Sequence, residues 1–177
     1  MNFLILSNSE ETKIVEFLKK KGNVSWTNKK ITLDYISKYD WIVSYGYRHI
    51  IDEQIISNSK NPILNLHISY LPYNRGAHPN YWSFKDNTPK GVTIHKIDRG
   101  IDTGPIFIQK KCYFSDDETL SSTYKKLKLE IEKLFIENFA RIITGEIKPE
   151  NQKDFGTFHK KSDLPDQIDW NLKINNI

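Results

Sequence analysis

The sequence predicts an α/β fold, a Rossmann-like, mostly parallel sheet flanked by helices, and three observations support this. Short apolar runs recur at residues 3–6, 41–43 and 63–66, the last interrupted by Asn65. Segments with three- and four-residue apolar spacing alternate with them, led by Ile14, Val15, Phe17 and Leu18. The chain has 177 residues, the size of one compact domain. Strands covered on both faces read as continuous apolar runs, and their alternation with helices describes βαβ units.

Residues 3–6 form the first strand. The helix after it starts near Ser9, Glu10, Glu11 and Thr12 and stops at Lys19, Lys20, Lys21 and Gly22, with polar and acidic residues at its start and lysines before a glycine at its end. Residues 24–26 read as a weak strand and 33–37 as a short helix. Residues 41–43 form a buried strand that turns at Tyr45, Gly46 and Tyr47, and residues 50–56 are expected to be helical. The strand at 63–66 leads into residues 68–80, whose two prolines, glycine and two asparagines forbid a regular element. An irregular loop of this length inside a compact domain points to function. Residues 81–84 read as a short helix, and 92–97 alternate with the period of a strand. Residues 98–100 make a turn and 105–109 a further strand. Ser115 and Glu118 have capping-box spacing, and behind them Leu120, Tyr124, Leu127, Ile131, Leu134, Phe135, Phe139 and Ile142 mark the longest helix, 118–143. Residues 1–145 are therefore expected to be the core, and 146–177, polar and poor in apolar anchors, a tail packing on or beside it.

Composition excludes several classes. Twelve per cent aromatic residues and 26 basic against 22 acidic groups do not describe a disordered chain. No apolar stretch is long enough for a membrane span, and the N-terminal residues have neither the basic leader nor the cleavage site of a signal peptide. The single cysteine, Cys112, excludes a disulfide scaffold and points to the cytoplasm. The slight basic excess comes from 22 Lys and only 4 Arg. Arginine is the better residue for bidentate recognition of phosphates and bases, so no nucleic-acid partner is expected.

Three polar groups stand where chemistry is usual. Asn65 and His67 are two residues apart at the end of a strand, so their side chains share one face. Ligand sites of open parallel sheets lie outside the carboxyl ends of the strands. Asp102 lies between Gly100 and Gly104, where backbone can pass closely, and could orient an imidazole. A histidine exchanges protons with nitrogen near neutral pH, and an asparagine amide donates to an oxyanion. Together they suit direct acyl transfer to an amine without a covalent enzyme intermediate. On spacing alone the plainer readings stay open: Asn65 and His67 as a turn cap, Asp102 as a turn residue, His95 as a core or surface histidine. No compact spacing supports a metal site from His67, His78, His95 and Asp102.

Linked motifs narrow the choice. Asn65-Leu66-His67, Leu71-Pro72, Arg75-Gly76-Ala77, Gly91-Val92-Thr93-Ile94-His95, Asp98 and Gly100-Ile101-Asp102-Thr103-Gly104 follow one another in order. In these motifs the chain resembles the 10-formyltetrahydrofolate-dependent formyltransferases over about residues 40–111, and more loosely over 1–145. The resemblance implies a formyltransferase core with His67 as general acid/base, Asn65 stabilising the oxyanion, and Asp102 orienting His67 and a water. It implies 10-formyltetrahydrofolate as co-substrate, its pterin edged by Gly46, Tyr47, Arg48, His49, Ile50 and Ile51. The backbone around Ile97, Asp98 and Ile101 would close the other side. No metal is implied.

The acceptor is narrowed by departures from the family's branches. Purine-pathway members bind a phosphate at a Gly-rich turn after the first strand, where this chain has Ser7-Asn8-Ser9-Glu10-Glu11. The C-terminal barrel of the initiator-tRNA enzymes and the N-terminal domain of the hydrolases are not expected in a chain of this length. The expected acceptor is the amine of a nucleotide-linked amino sugar used for bacterial surface polysaccharides, and the resemblance is nearest to the sugar N-formyltransferases. A non-sugar amine with the same donor, or a non-catalytic folate or nucleotide module, are the alternatives. Tyr73, Asn74, Arg75 and His159 are candidate acceptor contacts. The stretch of residues 155–161 resembles the segment after the core in several members, and either lines the acceptor side or packs on the sheet. A small-molecule substrate is expected as partner, and a homodimer is compatible with the sequence.

Overall fold

The computed structural model describes residues 1–10, 12–153 and 156–177. Glu11 in the first helix start and Phe155 in the tail motif lie outside these described residues. The strands are β1 (Asn2–Ser7), β2 (Asn23–Thr27), β3 (Trp41–Tyr45), β4 (Leu64–His67), β5 (Arg75–Gly76), β6 (Gly91–Lys96), β7 (Ile106–Lys111) and β8 (Phe158–His159). The α-helices are α1 (Lys13–Lys19), α2 (Leu33–Ile36), α3 (Glu53–Asn58), α4 (Pro79–Lys85) and α5 (Leu120–Ile143). Six strands form one sheet in the order β2-β1-β3-β4-β6-β7. The first four pair in parallel, and β6 and β7 add antiparallel. The expected mostly parallel sheet is present, with an antiparallel edge.

Period-two alternation divides each central strand between two cores. Phe3, Ile5, Val43, Leu64, Leu66, Val92 and Ile94 face α1 and α5, meeting Leu18, Leu127, Phe135 and Phe139. Leu4, Leu6, Ile42 and Ile63 face the opposite side, with Ile36 and Ile55 of α2 and α3. That second core covers β1 and β3. Beyond it, on β4 and β6, the same face carries Asn65, His67, Thr93 and His95. Loops cover this polar part of the sheet.

Two helices start later than their sequence suggests. Residues 50–56 read as helical, but α3 begins at Glu53 behind Asp52, whose backbone carbonyl accepts from Ile55 and Ile56 while its side chain makes no cap. Ile51 is buried in the second core and Ile50 remains in the preceding loop. At α5 the capping box is formed by Thr119 and Ser122, whose side chains and backbone N–H groups bond reciprocally. Glu118 still accepts from the Ser115 backbone N–H at 3.2 Å, outside the helix. The loop at 68–80 contains β5, which pairs in parallel with β8. No helix among the described residues is long and apolar enough to cross a membrane.

Beyond α5, residues 146–153 and 156–177 run back over the loops. Ile106 and Glu150 exchange two backbone hydrogen bonds, Arg75 and Ala77 donate backbone N–H groups to the Thr157 and His159 carbonyls, and Leu120 donates to the Leu172 carbonyl.

Candidate active site

The site stands on the loop-covered face where β4 ends. Pairing sets Ser44, Asn65 and His95 in one row across β3, β4 and β6, and His67 opposite Thr93. Thr93 is buried and fixes the loop above it: its hydroxyl donates to the Ser69 carbonyl and accepts from the Leu71 N–H. Asp102 reaches in from the turn after β6. Its backbone is left-handed, with φ of +54°, a conformation that persists only where the surroundings over-determine it. Gly104 makes the turn possible by close approach, since a Cβ there would lie 1.7 Å from the Lys96 carbonyl oxygen.

Asp102 joins the groups. Its Oδ1 accepts from Asn65 Nδ2 at 3.1 Å and lies 3.5 Å from His95 Nε2. Its Oδ2 accepts from the Gly76 backbone N–H at 2.9 Å and lies 3.8 Å from His67 Nδ1. The last distance is a charge interaction rather than a hydrogen bond. His67 Nε2 lies 3.2 Å from the Asn74 carbonyl oxygen. A carbonyl only accepts, so Nε2 carries the hydrogen and Nδ1 is the nitrogen left to take up a proton. By the same reasoning His95 donates from Nδ1 to the Lys96 carbonyl at 2.9 Å and accepts from Asn65 Nδ2 at 3.0 Å.

Burial lowers the pKa of His67 below the usual histidine value, and the neighbouring His95 lowers it further, against the upward pull of Asp102 and the Asn74 carbonyl. Burial alone would raise Asp102, but His67, His95 and the Gly76 N–H together outweigh it and hold the carboxyl well below the usual carboxylate range. Near neutral pH the pair is a neutral imidazole facing a carboxylate.

Asn65, His67 and Asp102 are thus brought together. His95, read from sequence as an ordinary core or surface histidine, is buried and bonded to Asn65. Its place in a period-two strand was the available signal, but its neighbour depended on the β4–β6 register. Among the described residues no group of three or more His, Cys, Asp or Glu is placed to hold a metal ion.

The two loops assigned to the pterin both adjoin the second core. Tyr47 and Ile97 pack against the second core, Ile97 donates its N–H to the Ile63 carbonyl, and Arg99 pairs with Glu53. Ile50 and Ile101 are exposed on these two loops at 76% and 48%. Tyr47 donates its hydroxyl hydrogen to the Lys29 carbonyl, and His49 Nε2 lies 3.1 Å from the Asn28 carbonyl oxygen, so both side chains point to the 28–29 loop. Arg48 is exposed. Ile51 is in the core, and Asp98 accepts from the Gly100 N–H and the Thr103 hydroxyl.

The candidate acceptor contacts are dispersed. The Asn74 side chain is fully buried and bonded to Thr88 and Thr157, so it serves the interior while its carbonyl faces His67. Arg75 donates to Gln152 Oε1 from Nε and Nη2. His159 stacks on Trp82 at 3.9 Å between centroids and bonds Asp86 through Nε2. Tyr73 is half-buried, and its carbonyl accepts from the Ser69 hydroxyl. Cys112 is half-buried at the end of β7.

The chain is similar to known proteins over most of its length. The family model described as formyl transferase matches residues 7–139. The formyltransferase PseJ from Anoxybacillus kamchatkensis, solved in complex with UDP-4,6-dideoxy-4-formamido-L-AltNAc and tetrahydrofolate, is 38% identical, with a TM-score of 0.91 over 98% of this chain and 96% of that one. A dTDP-4-amino-4,6-dideoxyglucose formyltransferase of Mycobacterium bovis is 30% identical over 74% of this chain and 55% of its own length. A methionyl-tRNA formyltransferase of Thermodesulfovibrio yellowstonii is 34% identical over 77% of this chain and 44% of its own length. The chain spans from a quarter to just over half of the length of the curated relatives it matches first.

Proposed function

The chain belongs to the formyl transferase family, and on that premise we propose that it moves a formyl group from 10-formyltetrahydrofolate to the amine of a nucleotide-linked amino sugar in the cytoplasm. The observation that carries this reading is the Asp102 carboxylate, shared between the Asn65 amide and the His67 ring at the end of β4. The likeness to PseJ over nearly the whole of both chains supports a nucleotide-sugar acceptor.

The folate supplies the formyl carbon on N10; the acceptor amine forms the new C–N bond and loses a proton, while N10 leaves with the bonding pair and gains one. His67 is held neutral by burial, so Nδ1 can take the amine proton. The imidazolium so formed is stabilised by Asp102 at 3.8 Å. Asn65 Nδ2 offers its hydrogens to His95 and Asp102 in the structure. Releasing the 3.1 Å bond to Asp102 turns one N–H to the developing oxyanion, while the Gly76 N–H keeps Asp102 in place. The loops carrying Ile50 and Ile101 would hold the pterin.

The test is formyl transfer from 10-formyltetrahydrofolate to a panel of nucleotide-linked amino sugars, read by mass spectrometry. At least one product is expected to gain the mass of a formyl group. His67→Ala and Asp102→Ala should fold normally and lose about 10²- to 10⁴-fold in turnover. If no nucleotide sugar is formylated, or if either variant works at the normal rate, the reading fails.

A further inference from the structure

We propose that Gln152, beyond the part of the chain matched by the family model, is a positioning residue that sets the Asp102 carboxylate against His67. The proposal rests on Asp102 and His67 acting as the acid/base pair described above.

Gln152 uses its whole amide on two pieces of backbone that define the site. Nε2 donates to the carbonyls of Asp102 and Gly104, each at 2.8 Å. Oε1 accepts from Arg75 Nε at 3.1 Å and Nη2 at 2.6 Å. The first pair spans the turn that carries Asp102 in its left-handed conformation. The second reaches β5, whose Gly76 N–H holds Asp102 Oδ2. One side chain therefore ties the segment that presents the carboxylate to the segment that anchors it.

Neither piece of backbone has this restraint from the main sheet alone. The turn at 100–104 lies between β6 and β7, and β5 pairs only with β8 among the described strands. A left-handed aspartate relaxes readily when its carbonyl loses its partner, and a shift of about 1 Å in a catalytic group can cost about 10²-fold. The local fold does not need Gln152 to close, because the backbone bonds between Ile106 and Glu150 hold the tail nearby.

The groups facing His67 are Asp102 and the Asn74 carbonyl, which raise its pKa, and His95, which lowers it; Asp102 is the larger of the two raising influences. Two independent readouts follow for the full chain. Gln152→Met keeps the length of the side chain and removes the amide. It should lower kcat by about 10- to 10²-fold with KM for both substrates little changed. In ¹³C-histidine NMR the titration midpoint of His67 should fall below that of the wild type, because the carboxylate no longer faces it. Gln152→Glu keeps an acceptor for Arg75 but loses both donated bonds, so its kcat should fall similarly; it also serves if Gln152→Met folds poorly.

Normal kcat in both variants, or an unmoved His67 midpoint in folded Gln152→Met, overturns the proposal. A rise in KM alone, with kcat intact, also overturns it. Failure of the wild type to formylate any acceptor would sink the functional reading instead, and the NMR midpoint would still report on Gln152.

Discussion

Asn65 donates from Nδ2 to Nε2 of His95 across 3.0 Å, although the two residues are thirty positions apart. The antiparallel pairing of β4 with β6 sets them side by side on one face of the sheet. His95 in turn is locked by its Nδ1 hydrogen bond to the Lys96 carbonyl, which leaves Nε2 as the acceptor that aims the amide. His95→Leu should therefore leave an Asn65 hydrogen without its partner. Stability should fall by about 1–3 kcal/mol, and kcat by about tenfold to a hundredfold. Steady-state kinetics and urea unfolding check both; normal kcat would show that Asn65 does not depend on His95.

The pH profile should carry the mark of His67. Its pKa is lowered from 6.5 by burial, so the ring becomes neutral and able to accept a proton at a lower pH than a free histidine does. The acid limb of kcat/KM should have its midpoint below 6.5, and a midpoint at or above that value would contradict the assignment.

Stability should follow the same direction. Between the lowered pKa of His67 and 6.5, the unfolded chain binds more protons than the folded one, so stability falls as pH drops through this window. Asp102 adds to this at lower pH, since its folded pKa lies below the ordinary 3.8: its contribution is present above that value and is lost as pH falls beneath it. Urea titrations at descending pH read the effect. Asp102→Asn should flatten the lowest part of the curve.

Gly104→Ala places a Cβ 1.7 Å from the Lys96 carbonyl oxygen, so the turn must move. Asp102 moves with it. The expected result is a destabilisation of about 1–3 kcal/mol with a loss of kcat of about 10²-fold, measured by unfolding and by turnover of the folded fraction.

Phe139 is a test of the scaffold rather than the chemistry. It is 1% exposed and meets Phe3, Phe17 and Phe135 through ring contacts between α5, β1 and α1. Phe139→Ala should cost about 3–5 kcal/mol by loss of buried surface and the cavity left behind. Turnover per folded molecule should be retained, because the ring lies on the face of the sheet opposite His67.

Much of this was legible in the chain. Apolar runs and three- and four-residue spacing are local signals, and they located β1, β3, β4 and α5 because burial acts on each element by itself. Period two put Asn65 and His67 on one face, and flanking glycines marked the turn of Asp102. Helix starts were less legible: the box that caps α5 is Thr119 with Ser122, and Ser115 with Glu118 has the same spacing just before it.

What the tertiary structure decided is who meets whom. His95 entered the site through a strand register, Asn74 turned its side chain inward and its carbonyl to His67, and Gln152 came back from the tail to hold the Asp102 turn. None of these has a local pattern, since each depends on closing a loop of many residues and on the pairing of separate elements. Periodicity assigns a side chain to a face. Its partner on that face is chosen only when the strands and the returning tail have packed.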